Sequence, residues 1–240
     1  MTHTRLIRVA AACTVGTVAA VVVAGSTAAD PPPRHDFTAA AVAIPVAPGT
    51  NADDDAIRFA TAHGRSAKID GVATSSLSCD GCSAHAFTVQ IVYAPRTRVV
   101  IADNVATAWA SQCAGCSGWA VSLQIVVARS AGAVTAANRA LSFTTVCDNC
   151  SVRAAAVQIV VIAPSDRQLT PRQLDSLEAL YERFAGALTP AASPSTTGAR
   201  AAQATPNRTA TTITATTEQI QAVVADSLGA ISATHSVAVR

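Results

Sequence analysis

Residues 138–163 read NRALSFTTVCDNCSVRAAAVQIVVIA, and residues 104–129 read NVATAWASQCAGCSGWAVSLQIVVAR. The two segments are one pattern written twice. Each has an asparagine, small residues at alternate positions, a Cys-x-x-Cys pair and then a Gln-Ile-Val tail. A third copy lies upstream, so the pairs Cys79/Cys82, Cys113/Cys116 and Cys147/Cys150 recur at one fixed period (113 − 79 = 34 and 147 − 113 = 34). Gln90, Gln124 and Gln158 follow the pairs at a constant offset, Asn104 and Asn138 match across the period, and Asp70 stands in the equivalent place of the first copy. A fixed period of this length marks one supersecondary unit in tandem.

The unit reads as strand, tight turn, strand. The dipeptides between the cysteines are Asp80-Gly81, Ala114-Gly115 and Asp148-Asn149, residues that tolerate the positive φ of two-residue hairpin turns. The arm after each turn is rich in β-branched residues, as in Val157, Ile159, Val160, Val161 and Ile162. We therefore expect a mainly β protein: three tandem 34-residue β-hairpin repeats, each closed by its Cys-x-x-Cys disulfide, with C-terminal α-helical segments. In such a hairpin Asn138, Ala140 and Ser142 share a face with Val157, Ile159 and Val161. The opposite face carries the cysteines, the glutamines and Trp109 or Phe143. The three copies then make one sandwich-like sheet or a short stack. A helical reading stays open for the alanine-rich stretch Ser151 to Ala156, because short apolar runs fit either period.

The flanks differ. Arg5 and Arg8 precede the apolar run Val9 to Gly25, and small residues lead to Asp30, which reads as a cleaved signal peptide over 1–29. Residues 30–52, with Pro31-Pro32-Pro33, Pro45 and Pro48-Gly49, read as a linker. A short helix is expected over 53–67, where Asp53-Asp54-Asp55 places negative charge at its start. On a helix those three side chains fan out, which argues for capping over cation binding. The repeat domain spans 68–164. A helix over 165–189 begins at Thr170-Pro171 and repeats Leu174, Leu177, Tyr181, Phe184 and Leu188 at helical spacing. A Ser/Thr/Ala/Pro tract over 190–212 reads as a disordered linker, and a helix and tail fill 213–240.

Removal of residues 1–29 takes Cys13 and two arginines, leaving six cysteines, all in the three pairs, and 15 basic against 15 acidic residues. A near-neutral chain without a Lys/Arg cluster lacks the electrostatic footprint of a nucleic-acid or anionic-membrane binder. An exported chain with every cysteine paired is expected to be oxidised. Flanking a two-residue turn, two cysteines stand about 5.5 Å apart, within the range a disulfide accepts. Closing a four-residue loop contributes about 1.9 kcal/mol, so three contribute about 5–6 if additive.

Two other uses of the thiols remain. Paired knuckles hold zinc in Cys₄ sites, but three pairs leave one without a partner, the stretch from Cys82 to Cys113 is longer than the usual gap, and no histidine lies in the knuckles. A redox-active pair needs a lowered thiol pKa, whereas Asp80 and Asp148 inside two of the pairs work against one. Gly-x-Ser-x-Gly, phosphate-loop and His-Glu-x-x-His motifs are all missing from the sequence, which speaks against an enzyme. Gln90, Gln124 and Gln158 form a candidate binding face; their alternative is a buried amide row bonded to backbone.

The Asn104-x-Ala106-x-Ala108 run, the Cys-x-x-Cys turn and the Gln-Ile-Val tail resemble uncharacterised exported proteins of high-GC Gram-positive bacteria with tandem Cys-x-x-Cys/Gln-hydrophobic repeats. The resemblance covers about Asp70 to Ala163. It implies secretion or residence in the cell envelope and brings no activity, cofactor or catalytic residue. The expectation is a non-catalytic repeat protein that scaffolds or binds a protein or cell-wall ligand, with no cofactor and no membrane contact after signal cleavage. The competing expectation is an extracytoplasmic redox or zinc- or copper-binding protein.

Overall fold

The computed structural model describes residues 34–188 and 205–240. The signal peptide expected over 1–29, the start of the 30–52 linker and most of the 190–212 tract lie outside the described residues. The described chain runs β1 (Arg34–Ala43), β2 (Asn51–Thr61), β3 (Ser66–Leu77), β4 (Ser83–Ala94), β5 (Val99–Ala114), β6 (Ser117–Ala128), a single 3₁₀ turn, β7 (Val134–Asp148), β8 (Ser151–Ile162), α1 (Pro171–Leu188), α2 (Thr205–Leu228) and β9 (Ser232–Val239). The protein is mainly β, with tandem repeats and C-terminal helices, as the sequence pattern implies.

The two arms of each copy do not pair with each other. Odd strands form one sheet in the order β1-β3-β5-β7, even strands a second in the order β2-β4-β6-β8-β9, and all pairs but β8–β9 are parallel. Each Cys-x-x-Cys bend is thus an arch between two sheets, and the copies stack as coils of a β-solenoid. The reason lies in the repeat itself. Stacking sets Asn104 beside Asn138, Gln124 beside Gln90 and Gln158, and Cys113 beside Cys147. A hairpin would bring together unlike arms and leave the amides without like partners.

Stacking also corrects the faces. Asn138, Ala140, the cysteines and Gln158 all point between the sheets, as their hydrogen bonds and core contacts show. Val157, Ile159 and Val161 point out of the second sheet, into a cluster with Leu177, Phe184, Leu188, Ile213, Ile220 and Val224 of α1 and α2. The second sheet is therefore buried on both faces, which is why its strands read as nearly unbroken apolar runs.

Several flanking expectations are overturned. Much of the 30–52 linker is β1, and the start of the 53–67 helix is β2; together they make a first coil without cysteines. Its offset to the next coil is 32 (Asn51 against Ser83), while β3 meets β5 at 33 (Ser66 against Val99) and later coils keep 34 (Ser117 against Ser151). Pairing along β4 overrides the local helical preference of this stretch. The 33-to-34 step has a local cause. Gln112 and Val146, with φ of 53° and 49°, are skipped between the paired rows Ser111/Thr145 and Cys113/Cys147, a stacked bulge that bends β5 and β7 into their arches. At the shorter offset, the residue beside Asn104 is Gly71 and not Asp70. A Cβ on Gly71 would lie 2.8 Å from Asn104 Oδ1, so the asparagine row ends there. At the far end, α2 begins at Thr205, inside the tract expected to be a disordered linker, and β9 lies within the segment expected to be helix and tail.

Candidate functional site: a column of stacked cysteine pairs

The arches are held in a row by their backbones. Gly49, Gly81 and Gly115 have φ of 69°, 64° and 67°, and Asn149 takes the same left-handed place at 55°. In this conformation each N–H points at the next coil: Gly81 N donates to Ala114 O at 2.7 Å and Gly115 N to Asp148 O at 2.8 Å. Asp80 contributes through its Oδ1, which accepts from Ala114 N at 2.7 Å. The aspartate inside the first pair thereby tethers one arch to the following one.

All three Cys-x-x-Cys pairs are at disulfide distance, with Cα–Cα separations of 5.6, 6.4 and 5.9 Å. They bridge the two walls of each coil at its arch. Cys82, Cys113 and Cys116 are buried among Ala84, Ala110 and Ala120, and the other three are partly buried there. The rise between coils is short enough to bring sulfurs of neighbouring pairs together. Cys113 Sγ lies 3.4 Å from Cys147 Sγ and 3.7 Å from Cys150 Sγ, and all four sulfurs of these two pairs fall within 4.8 Å of one another. Cys79 and Cys82 stand apart from this group. Cys82 Sγ faces Ala47 O at 3.2 Å, and Cys116 Sγ faces Cys79 O at 3.0 Å.

The glutamines are not a binding face. Gln90, Gln124 and Gln158 are 1, 0 and 2% exposed. Gln124 Nε2 donates to Gln90 Oε1 at 2.9 Å, and Gln158 Nε2 donates to Gln124 Oε1 at 2.7 Å. The side-chain nitrogens of all three reach across to carbonyls of the first sheet at Phe37, Ile69 and Ala102. A buried amide needs both donor and acceptor satisfied, and an in-register column of identical amides does this with one residue per coil. Asn104 and Asn138 form a second row, joined at 2.9 Å, with Ser122 Oγ donating to Asn104 Oδ1 at 2.6 Å.

His85 stands on β4. It lies over Trp119 with ring centroids 4.9 Å apart, and its Nδ1 is 2.8 Å from Asp53 Oδ1. The signal is the alternation of Asp53 and Asp55, which on a strand share a face. Comparison of the chain with protein-family models, with curated proteins and with solved structures found no match. No helix among the described residues is long and apolar enough to cross a membrane.

Proposed function

We propose that the protein is a non-catalytic, exported structural repeat protein of the cell surface or medium, whose coils scaffold or bind a protein or wall polymer. The observation that supports this is the column of cysteine pairs: each cysteine of the repeats stands at disulfide distance from its partner across the arch of its own coil. Such bonds stiffen a narrow coil that has mostly alanines, with Leu77, to pack at that end. The resemblance to exported high-GC Gram-positive repeat proteins agrees with an oxidising compartment. The test is an intact mass of the secreted protein with and without reduction before alkylation. Six alkylation sites that appear only after reduction support the reading; six that appear without reduction overturn it.

A second reading is favoured by one distance set. Stacking places Cys113, Cys116, Cys147 and Cys150 within 4.8 Å of one another, so the long sequence gap between knuckles is no obstacle to a four-thiolate zinc or copper site. In that reading Cys79/Cys82 is the pair left over. Native mass spectrometry separates the two: one metal per chain with four unreactive thiols supports it, and metal-free protein with three disulfides excludes it. Turnover in an insulin-reduction assay would instead mark a redox protein.

A further inference from the structure

Beside α1, at the rim of the second sheet, lies a cleft of about 340 Å³ unrelated to the cysteine column. Four elements build it. Asp53 and Asp55 come from β2, Phe87 and Trp119 from the neighbouring strands β4 and β6, and Tyr181 and Glu182 from α1. Ala185 and Gly186 line its upper side, and a Cβ on Gly186 would meet nothing within 4 Å, so the helix leaves the space above the sheet unfilled.

The donors and acceptors in this cleft are unbalanced. Trp119 Nε1 and the Tyr181 hydroxyl are buried and have no hydrogen-bond partner among the described residues, although both side chains are more than nine-tenths buried. Orphaned buried donors cost stability unless something binds them. Three carboxylates stand around them with His85 as the one basic group lining the cleft. Burial, reinforced by Asp53, Asp54 and Glu182, pushes the Asp55 carboxyl above its ordinary value. Burial also keeps the Tyr181 phenol protonated, so it stays a donor. A second cavity, near Tyr93, differs: its Arg96 and Arg129 already face Asp166.

The occupant must meet all of these demands together. Cationic charge answers the carboxylates, acceptor oxygens answer the Trp119 and Tyr181 donors, and an apolar face suits Phe87. A bare metal ion meets only the first. The one close-packed set of metal-ligand atoms among the described residues is the sulfur group, so these carboxylates are too dispersed to enclose an ion. The volume suits a small molecule of one ring. We propose that this cleft binds a hydroxylated organic ammonium of hexosamine size, with the ammonium between Asp55 and Glu182 and ring oxygens on Trp119 Nε1 and Tyr181 Oη. The inference stands on the cleft alone and holds whether the cysteines are oxidised or metal-bound.

The test uses the full chain carrying Trp109→Phe, which leaves Trp119 as the one tryptophan emitter. Titration with glucosamine is expected to shift Trp119 emission, with N-acetylglucosamine and neutral glucose each at least about tenfold weaker. Glu182→Gln, at an exposed rim position, is expected to weaken the glucosamine response about tenfold while leaving the far-UV spectrum unchanged. No response to the amine, an equal response to the N-acetylated sugar, or saturation by calcium alone would each overturn the proposal. So would an unchanged titration for Glu182→Gln combined with Asp55→Asn.

Discussion

The two faces of the second sheet are packed by opposite rules. Its inner face, toward the other wall of the coil, carries Ala84, Ala86, Ala120, Ala154 and Ala156 at the arch end, then the glutamine row, then Val92 and Val126 against Ile69 and Val100. Its outer face, under the helices, carries Val121, Leu123, Ile125, Val157 and Ile159. Inside, beside the Cys-x-x-Cys arches, the fixed length of the arch sets how far apart the walls stand, so side chains of this sheet there must be small and polar ones must match coil to coil. Outside, α1 and α2 settle at whatever distance the large side chains require. One strand therefore obeys a strict size limit on one side and a loose one on the other.

That contrast can be broken from either side. The largest effect is expected outside: Phe184→Ala removes a fully buried ring from the helix–sheet cluster and should destabilise the protein by about 3–5 kcal/mol in urea unfolding. Inside, Gln124→Leu keeps the volume but leaves the Gln90 carbonyl and the Gln158 amide without their side-chain partner. A loss of at least about 2 kcal/mol is expected; a neutral result would show that the row is not what holds the coils in register. Ala120→Leu adds bulk to the inner face at a fully buried position of the same strand and should cost about 1–3 kcal/mol, whereas Val121→Leu on the outer face should cost less. If both behave alike, the size limit proposed for the interior is wrong.

The smallest effect is electrostatic. The Asp55 carboxyl titrates above its ordinary 3.8 when folded, so its protonation favours the native state at low pH. That contribution fades as pH rises from the ordinary value through the raised one. Asp55→Asn is expected to lose this dependence, gaining slightly on the wild type toward neutral pH in melts compared across that window.

Much of this architecture was legible because a repeat announces itself. The period, the strand character of the Gln-Ile-Val arms, the left-handed turn residues and the helix begun by Thr170-Pro171 all follow from local chemistry. Thr170 and Gln173 indeed close that helix start, with Thr170 N donating to Gln173 Oε1 at 2.8 Å. Pairing partners were not legible, because a strand-turn-strand unit looks the same whether it folds as a hairpin or an arch. The buried glutamines held the missing clue: an amide repeated in phase across three copies is costly on a core face unless the copies lie side by side. The first coil was hidden for another reason. Its arch has Pro45 and Pro48 near the places of the cysteines, its offset to the next coil falls short of the period, and its aspartates resemble a helix cap. The cleft was out of reach, since Asp55, Trp119 and Tyr181 meet only through the coil stacking and the return of α1.

A stack of like coils running in one direction has no intrinsic last member, since each layer offers the same template to the next. Here β9 reverses direction along β8, from Ala155/Val239 to Ile162/Ser232, and occupies the edge that a further layer of that sheet would use. Copy number is thereby separated from termination. A duplicated unit spliced in between β6 and β7 would lengthen both walls and leave the closing strand on the layer it already fits, so the array can grow by gene duplication without acquiring a new sticky end on that sheet.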